Sequence, residues 1–201
     1  MILGITGGTG CGKTTLLSCI QELGGVVLDC DAIYHELLKT DPGLLASIEE
    51  AFPGVVRQGE LDRKALGSRV FSDPEALLRL NGITHAAVKN EVLRRLACKP
   101  VLAAIDAIAL FEGGLAPLCQ VTVAVTAPTE DRVRRLMARD GISEDYARSR
   151  IAAQPQEDWF RTHCGYVLRN AGTREEFHSK CLAFLHELGI MEEKRKGDET
   201  I

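Results

Sequence analysis

The apolar positions of this chain fall into short continuous runs separated by segments of helical periodicity. Continuous runs are typical of strands that are buried on both faces of a sheet. They occur at residues 2–5, 26–28, 101–105, 121–125 and 165–168. Strands that alternate with helices predict an α/β fold with a parallel sheet.

Residues 35–99 show helical periodicity without a convincing strand. Asp-Pro pairs at 41–42 and 73–74 predict two helix starts, residues 61–71 predict another helix, and Gly82 is a candidate break in the last one. This is longer than a plain crossover between parallel strands, which needs a dozen or more residues. We expect an inserted helical subdomain that covers the acceptor substrate.

Two helices that begin at Thr129 and Ser143 predict a hairpin after the strand at 121–125. The first carries Arg132, Arg135 and Arg139 on a single face, so the segment of about 129–163 is expected to be a lid that closes over phosphates. A solvated face paired with local acids is the alternative for each arginine. Arg139 is the preferred functional residue because it lies at the turn of the hairpin.

Composition narrows the class of protein. The 201 residues suit one α/β domain with an insertion, and the net charge of −4 does not favour a nucleic-acid partner. No 18-residue apolar run and no leader pattern is present, so we expect a soluble, cytoplasmic protein. The core is expected at 1–34, 100–128 and 164–190, and the tail at 191–201 is expected to be disordered.

The segment that carries the chemistry is Gly7-Gly8-Thr9-Gly10-Cys11-Gly12-Lys13-Thr14. It matches G-x-x-x-x-G-K-[ST], lies between a strand and a helix, and therefore predicts a phosphate-binding loop for a nucleotide. Backbone N–H groups surround the phosphates, Lys13 reaches the β- and γ-phosphates, and Thr14 supplies a hydroxyl to Mg²⁺. The residues expected to bind the nucleotide are Gly8, Gly10, Cys11, Gly12, Lys13, Thr14 and Thr15.

Acidic residues follow two of the predicted strands. Asp29 and Asp31 come after the strand at 26–28, and Asp106 follows the strand at 101–105. Ligands of open α/β sheets gather at the carboxyl ends of strands, so these acids are candidates for acceptor and metal chemistry. Either Asp29 or Asp31 could instead only cap the next helix. Arg63 and Lys64 are candidates for contact with an anionic substrate and equally for solvated surface charge.

Taken together, the motifs make the chain resemble the dephospho-CoA kinase family along nearly its whole length. The matching residues include 4–14, 29–31, 61–66, 70–71, 83–85, 110–112, 139–141, 150–154 and 170–173. The resemblance implies ATP-dependent phosphorylation of the ribose 3′-hydroxyl of dephospho-CoA, the last step of coenzyme A synthesis. It also implies a nucleoside-monophosphate-kinase-like fold with a five-stranded parallel core, a helical CoA-binding domain at about 35–99 and a lid.

The resemblance also assigns residues. It implies that Asp31 is the catalytic base, that Arg139 is the lid arginine, and that His85 contacts the acceptor in the helical domain. Asn170 lies in a matching segment and is expected to contact the nucleotide. The implied partner is a small-molecule substrate, without nucleic acid or membrane, and the chain is expected to be a monomer or a weak homo-oligomer.

The sequence departs from the family pattern at several positions, and it leaves other functions open. The chain has Ala86 where the family commonly has proline, Ile108 in the segment before Phe-Glu, Trp159-Phe160 and Cys164-Gly165 after Gln154, and Cys11 where serine is usual. The alternatives are another P-loop kinase for a nucleoside, nucleotide or shikimate-like alcohol, a P-loop switch that hydrolyses ATP, and a non-catalytic paralogue. Retention of Lys13, Thr14, Asp31 and Arg139 argues against the last.

Overall fold

The computed structural model of the chain describes residues 1–71 and 73–190. In chain order the elements are β1 (Ile2–Thr6), α1 (Lys13–Glu22), β2 (Val26–Asp29), α2 (Cys30–Thr40), α3 (Pro42–Ala51), β3 (Val56–Arg57), β4 (Glu60–Leu61), α4 (Arg63–Val70), α5 (Pro74–Leu96), β5 (Ala103–Asp106), a 3₁₀ turn (Ala116–Leu118), β6 (Val121–Thr126), α6 (Thr129–Asp140), α7 (Glu144–Ala152), α8 (Glu157–His163), β7 (Tyr166–Arg169) and α9 (Arg174–Glu187).

The main sheet has five strands in the order β2-β5-β1-β6-β7. Strand β1 pairs in parallel with both β5 and β6, and β6 pairs in parallel with β7. In this register Ile5 lies beside Asp106 on one side and Val123 on the other. The carboxyl ends of β1, β5 and β6 therefore meet at one edge of the sheet, and the expected α/β architecture is present.

One hydrophobic core lies between the sheet and the pair of helices α1 and α9. Alternate residues of β1 and β6 face it, and the two helices contribute an apolar stripe each. The fully buried members include Leu3, Ile5, Leu16, Ile20, Val123, Val125, Cys181 and Leu185. This core fixes the amino end of α1 beside the carboxyl end of β1.

Contacts within the chain divide it into two compact units. Among the described residues, the first contains Met1–Val27, Pro100–Ile108 and residues 118–190, and the second contains Leu28–Lys99 with Ala109–Pro117. The second unit has its own core, in which α3, α4 and α5 surround Ile48, Val55 and other apolar side chains.

Two expectations for the helical region are wrong. A short antiparallel hairpin, β3 and β4, lies within the segment that was expected to contain no strand, with Val56 opposite Leu61. Helix α5 continues through Gly82 without a break, because one glycine inside a long helix costs only about 1 kcal/mol relative to alanine. Asp73 caps this helix through the N–H groups of Glu75 and Ala76.

Some boundaries also differ from the sequence-based ones. The strand expected at 101–105 begins at Ala103 and includes Asp106, and Val101 is exposed. Helix α8 has no counterpart in the prediction. The tail at 191–201 lies outside the described residues. Among the helices that the structure describes, none is long and apolar enough to cross a membrane.

Candidate nucleotide-binding site

The phosphate-binding loop connects the carboxyl end of β1 to the amino end of α1. Gly12 precedes the helix at φ 91°, and no side chain caps it. Within the described residues, the backbone N–H groups of Gly12, Lys13 and Thr14 find no hydrogen-bond acceptor. These N–H groups and the positive end of the helix dipole form a ready anion site.

Arg132 on α6 stabilises this loop through side-chain hydrogen bonds. Its side chain is buried and donates from Nε to the carbonyl oxygen of Thr9 at 2.9 Å and from Nη2 to Oε1 of Gln154 at 2.8 Å. The same amide oxygen of Gln154 accepts the backbone N–H of Thr9 at 2.9 Å. A buried guanidinium needs such partners to offset its desolvation. The backbone N–H and the backbone carbonyl of Thr9 therefore both have side-chain hydrogen-bond partners.

The contact between Arg132 and the loop explains why residue 8 is a glycine. A Cβ at position 8 would lie 2.2 Å from Nη2 of Arg132, so only glycine leaves room for the guanidinium. The motif glycine at this position thus allows a packing contact as well as the turn itself.

Arg135 and Asn170 hold the other side of the loop. Arg135 donates from Nη1 to the carbonyl oxygens of Gly10 and Cys11, at 3.1 and 3.4 Å. Asn170, which is buried, donates from Nδ2 to the same Cys11 oxygen at 2.9 Å, and its Oδ1 accepts from Arg135 at 3.4 Å. The structure therefore brings Asn170 to the loop, as a residue that shapes it.

Lys13 lies within the same site. Its Nζ donates to the carbonyl oxygen of Gly7 at 3.1 Å and lies 3.9 Å from Oδ1 of Asp106, with both side chains largely buried. The Asp106 carboxylate, at the end of β5, is thus placed beside the lysine of the loop. Thr14 is the second residue of α1, so its hydroxyl belongs to the same end of the helix.

Cys11 is a buried residue of the loop. Burial raises the pKa of its thiol, while the nearby charges of Arg132 and Lys13 act in the opposite direction. The thiol is therefore protonated at neutral pH and is not activated as a nucleophile.

A cavity of about 600 Å³ lies beside the loop within the first unit. It is lined by Gly12, Thr14, Thr15, Ser18, Glu22, Arg135, Asn170, Arg174, Phe177 and His178. Thr15 and Asn170, expected to contact the nucleotide, both line it. Its volume and its mixed polar and aromatic lining suit a small organic ligand attached to a phosphate chain.

The two acids after β2 have different roles. Oδ1 of Asp29 accepts the N–H of Ala32 at 2.9 Å and caps α2, which is the capping alternative for this residue. Asp31 lies in the first turn of α2 and is exposed. Within the described part of the chain, no hydrogen bond or ion pair engages its carboxylate, so Asp31 is available for an external partner.

Basic and aromatic residues of the second unit form a cluster. Nη2 of Arg63 lies 3.3 Å from Nδ1 of His35, and the ring centroids of His35 and Tyr34 are 5.7 Å apart. Burial raises the pKa of Tyr34, and the charge of Arg63 partly opposes this. Because His35 is four residues beyond Asp31 on α2, both project from the same side of that helix. Lys64 is exposed on α4, and His85 is half-buried on α5.

The arginines of the hairpin divide into two groups. Arg132 and Arg135 hold the loop. They therefore do not form one cationic lid face with Arg139, and they are not solvated surface charges paired with local acids. Arg139 is exposed and pairs with Asp140 instead of the loop. Sequence reasoning placed Arg132 and Arg135 on a lid face and did not expect them to support the loop, and it gave Gln154 no role. The signal for the two arginines was their spacing at i and i+3 directly after the central strand.

A parallel five-stranded sheet and a glycine-rich loop before α1 define a P-loop nucleotide-binding fold. Comparison with known structures is consistent with this fold. A shikimate kinase from Bacteroides thetaiotaomicron has a TM-score of 0.56 at 18% identity, over 94% of this chain and 98% of that chain. That likeness supports the fold.

The chain belongs to the dephospho-CoA kinase family. The family model described as dephospho-CoA kinase matches residues 1–176. A dephospho-CoA kinase of Anaeromyxobacter dehalogenans is 38% identical over 193 residues, which is 93% of this chain and 92% of the relative. The crystal structure of TT1252 from Thermus thermophilus is similar at a TM-score of 0.78 and 36% identity, over 94% and 97% of the two chains. The expectations of family, fold and kinase activity are confirmed.

Proposed function

We propose that this chain transfers the γ-phosphoryl group of ATP to the ribose 3′-hydroxyl of dephospho-CoA, which yields coenzyme A and ADP. Membership of the dephospho-CoA kinase family carries this proposal. The unpaired N–H groups of the loop at Gly12, Lys13 and Thr14 support the nucleotide half of it, because phosphoryl transfer depends mainly on positioning and charge stabilisation.

The triphosphate of ATP binds in the loop, and its adenosine occupies the cavity beside it. The loop N–H groups and Lys13 hold the β- and γ-phosphates. Arg135 and Asn170 line the cavity while they hold the loop, so the contacts that shape the phosphate site also face the nucleoside.

Residues of the site fit a magnesium ion. Thr14 and Asp106 offer a hydroxyl and a carboxylate, the hard oxygen donors that Mg²⁺ prefers. The described residues contain no group of three or more His, Cys, Asp or Glu side chains arranged to hold a metal ion by themselves. This suits an ion held by one or two protein oxygens together with substrate phosphates. Bound there, Mg²⁺ would neutralise charge on the phosphates.

Asp31 acts as the base in this proposal. Its unengaged carboxylate accepts or orients the proton of the 3′-hydroxyl, for which a separation of about 3 Å in the complex is required. Arg63, Lys64 and His85 bind the anionic acceptor, and Arg139 neutralises charge on the transferred group. We also propose that the enzyme is cytoplasmic. We further propose that it is a monomer or weak homo-oligomer, and light scattering of the purified protein tests this oligomeric state.

The substrate is tested with a panel of acceptors. Wild-type protein is incubated with Mg-ATP and dephospho-CoA, adenosine, AMP or shikimate, and the products are analysed by mass and by ³¹P NMR. The expected result is efficient phosphorylation of dephospho-CoA alone, at the ribose 3′ position. Phosphorylation of shikimate or a nucleoside instead, or acceptor-independent hydrolysis of ATP, would contradict the proposal.

A further inference from the structure

Asp140 joins two arginines of the α6–α7 hairpin. Arg139 donates to it in bidentate fashion, from Nε to Oδ1 at 2.6 Å and from Nη2 to Oδ2 at 3.0 Å. Arg150, on α7, donates from Nη1 to Oδ2 at 2.9 Å. Both guanidinium groups thus converge on one carboxylate.

The position of Asp140 is unfavourable for the helix that contains it. It is the last residue of α6, directly before Gly141 at φ 65°, and a negative charge at this end opposes the helix dipole. The two arginines compensate for that cost, and Arg139 and then Arg150 hold the pKa of Asp140 below its usual range. A residue that breaks a local rule is expected mainly at functional sites.

The hairpin fixes where this cluster lies. Arg139 follows Arg135 by four residues, so it projects from the same side of α6, about 6 Å further along the axis. Arg135 itself contacts the phosphate-binding loop. A small core of Val133, Leu136, Ala147 and Ile151 packs α7 against α6, and this packing sets the position of Arg150.

The cluster retains capacity for an anion. Two guanidinium groups and one carboxylate carry a net charge of +1. Within the part of the chain that the structure describes, Arg139 uses Nε and Nη2 for Asp140, which leaves its Nη1 available, and Arg150 keeps Nε and Nη2. Guanidinium groups with unused N–H donors are suited to phosphate oxygens.

We propose that Asp140 is a positioning residue that holds Arg139 and Arg150 as a paired cationic clamp for the phosphates of the bound nucleotide. Arg150 is thereby a second phosphate-contacting arginine of the hairpin. Asp140 acts only through the two arginines and does not touch substrate. This inference rests on the proposed kinase function.

The first test separates kcat from KM with dephospho-CoA and Mg-ATP. For Asp140→Asn we expect kcat to fall about tenfold, within the range that a misplaced catalytic group costs, with both KM values within about twofold of wild type. Asp140→Glu should recover part of kcat. The matched control is Glu144→Gln, which removes an exposed ion pair with Arg148 on the same hairpin and should leave kcat unchanged.

A double-mutant cycle shows whether Asp140 acts through the arginines. In a chain that already carries Arg139→Ala and Arg150→Ala, the further change Asp140→Asn should not lower the single-turnover rate again. A further loss there, or a wild-type kcat for Asp140→Asn in the otherwise intact chain, would overturn the inference. If Asp140→Asn does not fold, the variant Arg150→Gln tests the inference instead. We expect this variant to have a lower kcat than wild type, and an unchanged kcat would contradict the inference. An inactive wild-type protein would instead refute the proposed function.

Discussion

Nε of Arg132 lies 2.9 Å from the carbonyl oxygen of Thr9, which ties helix α6 to the middle of the phosphate-binding loop. The arginine also meets Oε1 of Gln154, which in turn accepts the N–H of Thr9. Three residues far apart in the sequence therefore set the shape of one loop. The anion site at the amino end of α1 depends on support from both sides.

Arg132→Met tests this support. Methionine keeps much of the aliphatic volume but leaves the Thr9 carbonyl without its donor, a loss of about 1–3 kcal/mol for a buried polar group. We expect a lower Tm and at least about a fivefold increase in the Kd for ATP, measured by calorimetry. Arg134→Met is the control, because Arg134 is an exposed residue of the same helix that pairs only with Asp131 within the described chain. Wild-type affinity in the Arg132 variant would contradict the supporting role.

Gly12→Ala should abolish tight nucleotide binding. A Cβ there would lie 2.4 Å from Nδ2 of Asn170, and the backbone has φ 91°. The substitution therefore pushes Asn170 away from the Cys11 carbonyl and strains the start of α1. Gly24→Ala is a matched control, since Gly24 has φ 80° with no atom within 4 Å of the added Cβ. The control should lose about 1 kcal/mol of stability and bind ATP normally. Equal effects of the two changes on the Kd would exclude a specific role for Gly12.

Glu91 gives a pH-dependent contribution to stability. It accepts hydrogen bonds from Arg94 and Arg95, and these lower its pKa to about 2. Because the pKa in the folded state is below the unfolded value of about 4.3, the contribution is complete above that value and disappears as the pH falls toward 2. We expect Glu91→Gln to lower the urea midpoint at pH 7, with a difference that narrows below about pH 4. A pH-independent difference for Glu91→Gln would be inconsistent with this ion pair.

Cys11 should be chemically inert in the folded protein. Burial raises the pKa of its thiol, so a maleimide should label the exposed Cys98 first and Cys11 only after unfolding. Cys11→Ser should keep its activity, since the loop uses the backbone of this residue. Rapid inactivation of a Cys98→Ser protein by peroxide, with protection by Cys11→Ser, would show that Cys11 is oxidised in the folded state.

The phosphate-binding loop and most elements could be predicted because their signals are local. The glycine-rich motif specifies the loop, and aspartates before prolines mark the starts of α3 and α5. The hairpin of β3 and β4 was missed because each strand has only two residues. A signal was present at Gln58-Gly59, whose positive φ values form the turn, a conformation that two-residue hairpin loops favour.

The support of the loop could not be predicted from the sequence. Arg132, Arg135 and Arg139 have the same chemistry and share one stripe of α6. Their different environments arise from packing between segments more than a hundred residues apart in the sequence, which no local pattern encodes. The roles of Asp29 and Asp31 were likewise separated only by the hydrogen bond from Ala32 to Asp29.

The central claim is most directly tested by ADP release with Mg-ATP, with and without dephospho-CoA. Wild type is compared with Asp31→Asn and with Asp29→Asn, which removes a charge two residues away but keeps a side chain that caps helices well. We expect acceptor-dependent ADP release by wild type and Asp29→Asn, and loss of most turnover with unchanged ATP affinity in Asp31→Asn. ADP release that does not depend on dephospho-CoA would contradict the proposed reaction. Undiminished turnover in Asp31→Asn would exclude Asp31 as the base.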